Sequence, residues 1–183
     1  ARRELAFLNA SLQHWKANHA PMMPTPKIKL PPKPQPRQDF MTRGQAALFL
    51  WKARRTPHLA RFFIIGWYTG SRRSVITGLK WSMVNLDDGI MQRKPRNAVK
   101  TKKRSPPVKI GGRLLAHLRR WRRMDGQATH IVRHRGKAIH RPVSSWERVR
   151  DLAGLPDYVT PHVLRHSRAT TMMRAGVNPW DAA

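Results

Sequence analysis

The sequence predicts an α+β fold that is mainly helical and carries a small antiparallel β-sheet. Most of the chain shows apolar residues at helical spacing, in segments bounded by capping residues, prolines and glycines. Between residues 81 and 108 apolar and polar residues alternate instead, and Asp87-Asp88-Gly89 is typical of a hairpin turn. A proline-rich stretch separates the first helix from everything that follows, so we expect a linker between two domains.

The first predicted helix covers residues 2 to about 19. Leu5, Leu8, Leu12 and Trp15 form one apolar stripe at helical spacing. No capping residue precedes Arg2, so we expect the chain to begin inside a helix of a longer protein.

The linker, residues 21–38, has seven prolines interspersed with lysine and arginine. This density of proline favours an extended polyproline II conformation. Such a basic strap can lie along a phosphate backbone, and a solvated spacer is an equally good interpretation.

The second domain begins with two helices. Thr42 can cap a helix that ends near residue 53, and the apolar segment 57–68 predicts a buried helix that ends at Thr69-Gly70-Ser71. A short helix follows Arg72. After the hairpin, the basic segment 99–108 predicts a cationic strand or loop at the sheet edge, where its charge also opposes aggregation.

Four further elements are expected towards the C-terminus: a helix over about 113–124, a hairpin within 128–139, a helix over 143–153 and a helix from 161 to 176. Asn178-Pro179 is typical of the start of another helix. The sequence ends at Ala183, within the first turn of that helix, so we expect a truncated C-terminus.

The net charge identifies the class of partner. The chain has 37 Lys and Arg against 9 Asp and Glu, a formal charge of +28, and nucleic acid is the expected partner of so basic a protein. No cysteine is present, which excludes disulfides, thiol catalysis and cysteine-ligated zinc. No apolar run is long enough to span a membrane, and no secretory signal opens the chain, which is compatible with a cytoplasmic setting.

The segment 160–167 carries the clearest functional signal. Thr160 can cap a helix and Pro161 suits its first position, which places His162 and Arg165 on one face of the first turn. An imidazole and a guanidinium at the positive end of a helix form a receptor for a phosphate group.

Arg72, Lys100, His162 and Arg165 can together form a site for phosphoryl transfer. Two arginines can clamp the equatorial oxygens of the transition state, a histidine can add a donor, and a lysine can protonate the leaving oxygen. No pair of carboxylates suggests bound Mg²⁺, so the positive charges at the site would have to come from side chains. In so basic a chain, any one of these cations by itself is more often a surface charge.

The context of these residues resembles the tyrosine recombinase, or phage integrase, family. The stretch from Thr69-Gly70-Ser71-Arg72 to Ser82 is similar to the first arginine box, and Thr160–Ser167 to the His-x-x-Arg box. Lys100-Thr101 resembles the lysine segment of the family. The resemblance implies that residues 1–20 are the last helix of a DNA-clamping (core-binding) domain, 21–38 a linker, and 39–183 a C-terminally incomplete catalytic domain.

The family further implies a site-specific recombinase that cleaves and rejoins DNA through a 3′-phosphotyrosyl intermediate. Arg72, Arg165 and His162 would stabilise the transition state, and Lys100 would be the general acid, with Lys102 and Lys103 as alternatives. Lys102, Lys103 and Arg104 would contact DNA. The implied partners are double-stranded DNA and further copies of the protein in a tetramer, and the implied source is a bacterial or phage-encoded, DNA-associated protein.

Two departures from the family pattern bear on activity. Val75 stands where the family has an acid, and residues 1–183 contain neither the Leu-Gly-His box nor the tyrosine that follows it. Tyr68 and Tyr158 do not occupy the place of the nucleophile. We therefore expect this chain to bind duplex DNA without cutting it, and the alternative is a non-catalytic DNA- or RNA-binding protein, such as a recombinase remnant.

Two further residue patterns are better explained by structural roles than by metal or base binding. His130 and His134 have the spacing of a helical metal pair, but their segment predicts a strand, so we expect no metal there. The tryptophans at positions 51, 81, 121 and 146 fall on apolar faces and are expected in the core rather than at a base-stacking surface.

Overall fold

The computed structural model describes residues 2–19, 21–32, 39–95 and 106–177. The chain divides into two compact units, Ala1–Gln38 and Asp39–Ala183. The described residues form seven α-helices and short antiparallel strands. This confirms the predicted α+β, mainly helical class.

The first unit contains the predicted N-terminal helix. Helix α1 covers Arg2–His19, and no side chain of this helix is buried. Residues 21–23 form a turn and residues 24–32 have no regular secondary structure. The amide of Gln13 donates to the hydroxyl of Thr25 at 3.2 Å, which holds the segment after the helix. Residues 33–38 of the predicted linker lie outside the described residues.

The second unit contains the remaining elements. Its helices are α2 (Arg43–Ala53), α3 (Pro57–Thr69), α4 (Arg73–Thr77), α5 (Gly112–Asp125), α6 (Val143–Leu152) and α7 (Val163–Arg174). Its strands are β1 (Val84–Asn85), β2 (Ile90–Met91), β3 (Val108–Lys109), β4 (Arg133–His134) and β5 (Lys137–Ala138). Across the described parts of both units, the helices are too short or too polar to cross a lipid bilayer.

Capping and proline signals in the sequence mark the starts of α2 and α3. Thr42 and Gln45 form a reciprocal capping box at α2, and Pro57 occupies the first turn of α3. Helix α7 differs from the prediction, because it begins at Val163 rather than at Pro161. The amide of Val163 donates to the carbonyl of Thr160 at 3.0 Å, so a turn precedes the helix. His162, rather than Thr160, occupies the N-cap position.

The first sheet is antiparallel, with the order β1-β2-β3. Met91 pairs with Val84 on one side and Val108 on the other, so the predicted hairpin is confirmed. The third strand begins at Val108, the last residue of the basic segment that was predicted as a strand or loop. The segment Trp81–Met83 forms a 3₁₀ turn rather than the start of the strand. Both of its ends are buried, as in an alternating strand, so alternation alone could not distinguish the two. Residues 96–105 lie outside the described residues.

The core of the second unit lies around Trp146. Its ring centroid is 4.3 Å from that of Phe49, 5.9 Å from Phe63 and 6.1 Å from Phe62, which joins α6 to α2 and α3. Trp81 and Trp121 are also buried, as expected. Trp51 was predicted wrongly: it is 61% exposed.

Helix α2 explains the exposure of Trp51. Ala46, Phe49 and Ala53 are the buried positions of this helix, and Trp51 lies on the opposite side. The guanidinium of Arg54 lies 3.9 Å from the indole centroid and stacks on it in solvent.

A buried carboxylate connects four segments of the same unit. Asp125 at the end of α5 accepts two hydrogen bonds from Arg61 of α3, at 2.7 and 2.9 Å, and one from Arg133 of β4. The indole of Trp81 donates to it at 3.1 Å. Burial acts to raise the pKa of the Asp125 carboxyl, but the hydrogen bonds from Arg61 and Arg133 outweigh it and hold that pKa below its usual value.

Candidate phosphate-binding site

The site lies where α3, α4 and α7 meet. A Cβ placed on Gly66 would lie 2.7 Å from Cδ1 of Leu164 and 3.3 Å from Cδ1 of Ile76. A side chain at this position would have to displace both of these buried side chains, so glycine favours the close approach of α3 to the other two helices. The crossing brings the end of α3 beside the first turn of α7.

The turn after α3 is fixed by hydrogen bonds. Gly70 is left-handed, with φ 59°, and ends the helix. The hydroxyl of Thr69 lies 2.7 Å from the carbonyl oxygen of Ile65 and 2.8 Å from Oγ of Ser71, and both Thr69 and Ser71 are buried. The turn gives Arg72 a defined starting point in an extended backbone conformation.

Three of the predicted site residues line one pocket. Arg72, His162 and Arg165 border a cavity of about 480 Å³ between α4, α6 and α7, although the first two are ninety positions apart in the sequence. The remaining lining residues are Ser71, Arg73, Ser74, Val143, Thr160 and Pro161. The lining is rich in cations and hydroxyl groups, a set of donors that suits a phosphate oxyanion.

Arg165 connects the two arginine segments directly. Its Nη1 donates to the carbonyl of Gly70 at 3.0 Å. Burial lowers the pKa of the Arg165 guanidinium, and the neighbouring charge of Arg72 lowers it further. A guanidinium stays cationic at neutral pH despite such shifts, so the pocket gathers like charges that an anion would offset.

His162 lies at the N-cap position of α7 and is exposed. Its ring meets that of His166 edge-on, with centroids 4.5 Å apart. Burial of part of the ring lowers the pKa of His162, and the neighbouring His166 and Arg165 add to the effect. The imidazole is therefore mainly neutral at pH 7, and a bound anion would favour its protonation.

Arg93 is a further arginine at this site that the sequence patterns did not identify. It follows β2, and its Nη2 donates to the carbonyl of Thr69 at 3.0 Å. Burial lowers the pKa of Arg93, and the charges of Arg165 and Arg72 lower it further. No motif marks Arg93, since only the folded sheet brings the end of β2 to the end of α3.

Lys100, Lys102, Lys103 and Arg104 lie outside the described residues. Their assignment as general acid and DNA contacts stays a prediction.

The two tyrosines lie elsewhere in the unit. Gln45 Nε2 donates to the hydroxyl of Tyr158 at 3.2 Å, and Tyr68 lines a separate cavity with Trp67 and Arg168. Neither tyrosine is among the residues that line the phosphate pocket. Val75, at the position where the resemblance expects an acid, is partly buried on α4.

The two histidines considered as a metal pair do not share a helix. His130 forms a bridge with Lys80, whereas His134 lies in β4 and contacts the ring of His58 at 4.7 Å. Among the residues that the structure describes, no three His, Cys, Asp or Glu side chains gather in a way that could hold a metal ion.

Comparison with solved structures gives consistent fold matches. The chain is similar to XerA recombinase, with 23% identity, a TM-score of 0.59, and coverage of 96% of this chain and 63% of that one. It is similar to a lambda integrase tetramer bound to a Holliday junction, with 16% identity, a TM-score of 0.71, and coverage of 98% and 55%. It is also similar to a Tn1549 transposon integrase in complex with a circular intermediate DNA. That match has 15% identity and a TM-score of 0.77, and it covers 98% of this chain and 68% of the integrase chain.

The chain thus spans 63% of XerA recombinase and 55% of the lambda integrase chain. No curated protein matches it. The sequence model of the phage integrase family matches residues 47–182, which is most of the second unit and well over half of the chain. The chain therefore belongs to the phage integrase family of tyrosine recombinases.

Proposed function

We propose that this chain carries most of the catalytic domain of a site-specific DNA recombinase, which acts on double-stranded DNA in the cytoplasm. Arg72, Arg165 and His162 bind the scissile phosphate and stabilise the charge of its transition state. Lys100 protonates the leaving 5′ oxygen, with Lys102 and Lys103 as the alternatives. In this proposal residues 1–38 are the end of a DNA-clamping domain and its linker.

One observation carries the proposal: Arg72, His162 and Arg165 line a single pocket although they come from two distant sequence boxes. In a chain with this many basic residues, three basic side chains chosen at random would be expected at separate places on the surface. Here a glycine-dependent helix crossing and a hydrogen-bonded turn bring them together. A phosphodiester, with one negative charge and two free oxygens, is the group that this arrangement fits best.

The similar structures support the choice of partner and assembly. One is a lambda integrase tetramer on a Holliday junction, and another is a Tn1549 integrase in complex with DNA. Transferred to this protein, they support duplex DNA as the partner and a tetramer as the working assembly of the complete protein. The formal charge of +28 supports a polyanionic partner independently.

The chemistry in this proposal needs no metal or nucleotide. A tyrosine hydroxyl loses its proton to solvent, and its oxygen bonds the phosphorus as the P–O5′ bond breaks. The leaving 5′ oxygen takes a proton from the general acid, and the bond energy is kept in the 3′-phosphotyrosyl link. Tyr68 and Tyr158 are not proposed as the nucleophile, because neither lines the pocket. Residues 1–183 by themselves are therefore expected to bind DNA and leave it uncut.

The test combines a gel-shift assay with a search for covalent DNA adducts, using the 183-residue chain. We expect binding of duplex DNA without an adduct that survives denaturation. In a form of the protein that includes the family's tyrosine, Arg165→Ala is expected to lower cleavage by several orders of magnitude with little effect on binding. A covalent adduct formed by the 183-residue chain itself would contradict the assignment.

The second candidate function is a non-catalytic DNA- or RNA-binding protein. The position of both tyrosines away from the pocket favours it. Such a protein has no cleavage activity for Arg165→Ala to remove, so the same comparison distinguishes the two candidates.

A further inference from the structure

Two arginines hold consecutive carbonyls of the turn that precedes Arg72. Arg93 donates to the carbonyl of Thr69, and Arg165 donates to the carbonyl of Gly70, each at 3.0 Å. Arg93 comes from the end of β2 and Arg165 from α7, so the turn is held from both the sheet and the helical side.

These carbonyls lie at the negative end of α3. The last carbonyls of a helix have no partner within the helix, and cations near them are stabilised by the helix dipole. Thr69 is only 7% exposed, so its carbonyl would lose its hydrogen bond and gain little from water if Arg93 were removed. The hydrogen bond from Arg93 therefore stabilises the conformation of the turn just before Arg72.

We propose that Arg93 is a positioning residue of the phosphate site, which fixes, together with Arg165, the turn from which Arg72 projects. This inference rests on the proposed function of the pocket. Arg93 also brings a third guanidinium charge to Arg72 and Arg165. Burial lowers the pKa of Arg93 and of Arg165, and the neighbouring guanidinium charges lower both further. A bound anion would offset these like charges.

The experiment measures binding of inorganic phosphate to the 183-residue chain at pH 8 and constant ionic strength. The readout is the rise in Tm with phosphate concentration, which gives an apparent Kd for each variant. The variants are Arg93→Gln, which removes the charge, and Arg93→Lys, which keeps it. Arg165→Gln tests the pocket itself.

Arg119→Gln is the matched control. Arg119 also donates to a backbone carbonyl, that of Leu86 at 3.1 Å, but it lies on the exposed face of α5 and does not line the pocket. Its variant reports the contribution of general positive charge to phosphate binding.

We expect Arg93→Gln to raise the apparent Kd for phosphate about tenfold, which corresponds to ~1.4 kcal/mol, whereas Arg93→Lys recovers most of the affinity and Arg119→Gln changes little. If Arg93→Gln lowers Tm without phosphate but leaves the apparent Kd unchanged, Arg93 is only structural and the proposal is wrong. If Arg93→Gln does not fold, the decision rests on Arg93→Lys, which keeps the charge but not the planar guanidinium. We then expect a loss of phosphate affinity of about threefold, ~0.7 kcal/mol, and an unchanged apparent Kd in Arg93→Lys would overturn the proposal. An unchanged Kd in Arg165→Gln would overturn the proposed function itself, and with it the premise for Arg93.

Discussion

His162 and Arg165 are one turn apart, yet only the histidine can change its charge near neutral pH. Partial burial lowers the pKa of His162, and the neighbouring His166 and Arg165 lower it further, so the imidazole is mainly neutral at pH 7 in the free protein. A bound anion reverses this preference, so anion binding and proton uptake by His162 are coupled.

The first prediction follows from this coupling. Affinity for sulfate, whose own charge is constant over this range, should rise as the pH falls from 8 through 6.5 towards the lowered pKa of His162. His162→Gln should flatten this dependence, and Arg165→Gln should lower affinity at every pH. Calorimetric titration at a series of pH values measures the pH dependence of sulfate affinity. His117→Gln, on α5, is the control and should leave this dependence unchanged. An equally steep dependence in His162→Gln would show that another group binds the proton.

Asp125 is the residue whose loss should cost the fold most. Its carboxylate accepts from Arg61, Arg133 and Trp81 while 7% exposed. Asp125→Asn leaves two partly buried guanidiniums without their anion beside a buried amide, and should lower the free energy of unfolding by ~3 kcal/mol. Urea denaturation measures this, and Asp151→Asn, which alters an exposed pair with Arg150, should have a much smaller effect.

The pH dependence of this contribution has a definite sign. The pKa of Asp125 is lower in the folded than in the unfolded chain, so the carboxylate stabilises the fold fully above the unfolded value of 3.8. The stabilisation is lost as the pH falls from there through the lower folded pKa. Asp125→Asn should therefore be less acid-sensitive than the natural chain in this window.

At the residue scale, the sequence was informative where a residue belongs to a local motif. Arg72, His162 and Arg165 could be named because their neighbours identify them, and all three line the pocket. Arg93 could not, because its relation to Thr69 depends on the packing of β2 against α3. Trp51 was placed wrongly because an apolar segment does not by itself show which side of a helix is buried.

At the scale of elements, the crossing of α3 and α7 controls the site. Gly66→Ala should force a methyl group against Leu164 and Ile76, and we expect ~1–3 kcal/mol of destabilisation together with weaker phosphate binding. Gly44→Ala is the control, because its Cβ would meet only Oγ1 of Thr42 at 4.0 Å and alanine favours a helix. Chemical denaturation and phosphate titration of both variants measure the two effects. A Gly66→Ala protein with unchanged stability would show that the helices can separate without cost.

The element boundaries were predictable where side chains signal them. The capping box of Thr42 and Gln45 and the Pro57 start fixed α2 and α3. The start of α7 was set two residues too early, because a proline also suits the turn that precedes a helix. The alternating burial at residues 81–83 fits a strand and a 3₁₀ turn equally, and only the folded backbone separates them.

At the scale of the whole molecule, we expect the formal charge of +28 to dominate binding to DNA. Affinity for duplex DNA should fall steeply and linearly in a plot of log K against log salt, because phosphate contacts release counterions. Arg165→Gln should reduce the slope by about one, since it removes one phosphate contact. Fluorescence anisotropy over a salt series measures this. A flat response would mean that the basic surface is not the DNA-binding surface.

The central claim is that Arg72, His162 and Arg165 bind one phosphate group together. The most direct measurement is an NMR titration of the arginine Nε–Hε and histidine ring signals with inorganic phosphate, with the exposed Arg119 as internal reference. We predict that the signals of Arg72, His162 and Arg165 shift with one shared midpoint, at a lower phosphate concentration than that of Arg119. Three separate midpoints, or midpoints equal to that of Arg119, would contradict a common phosphate site.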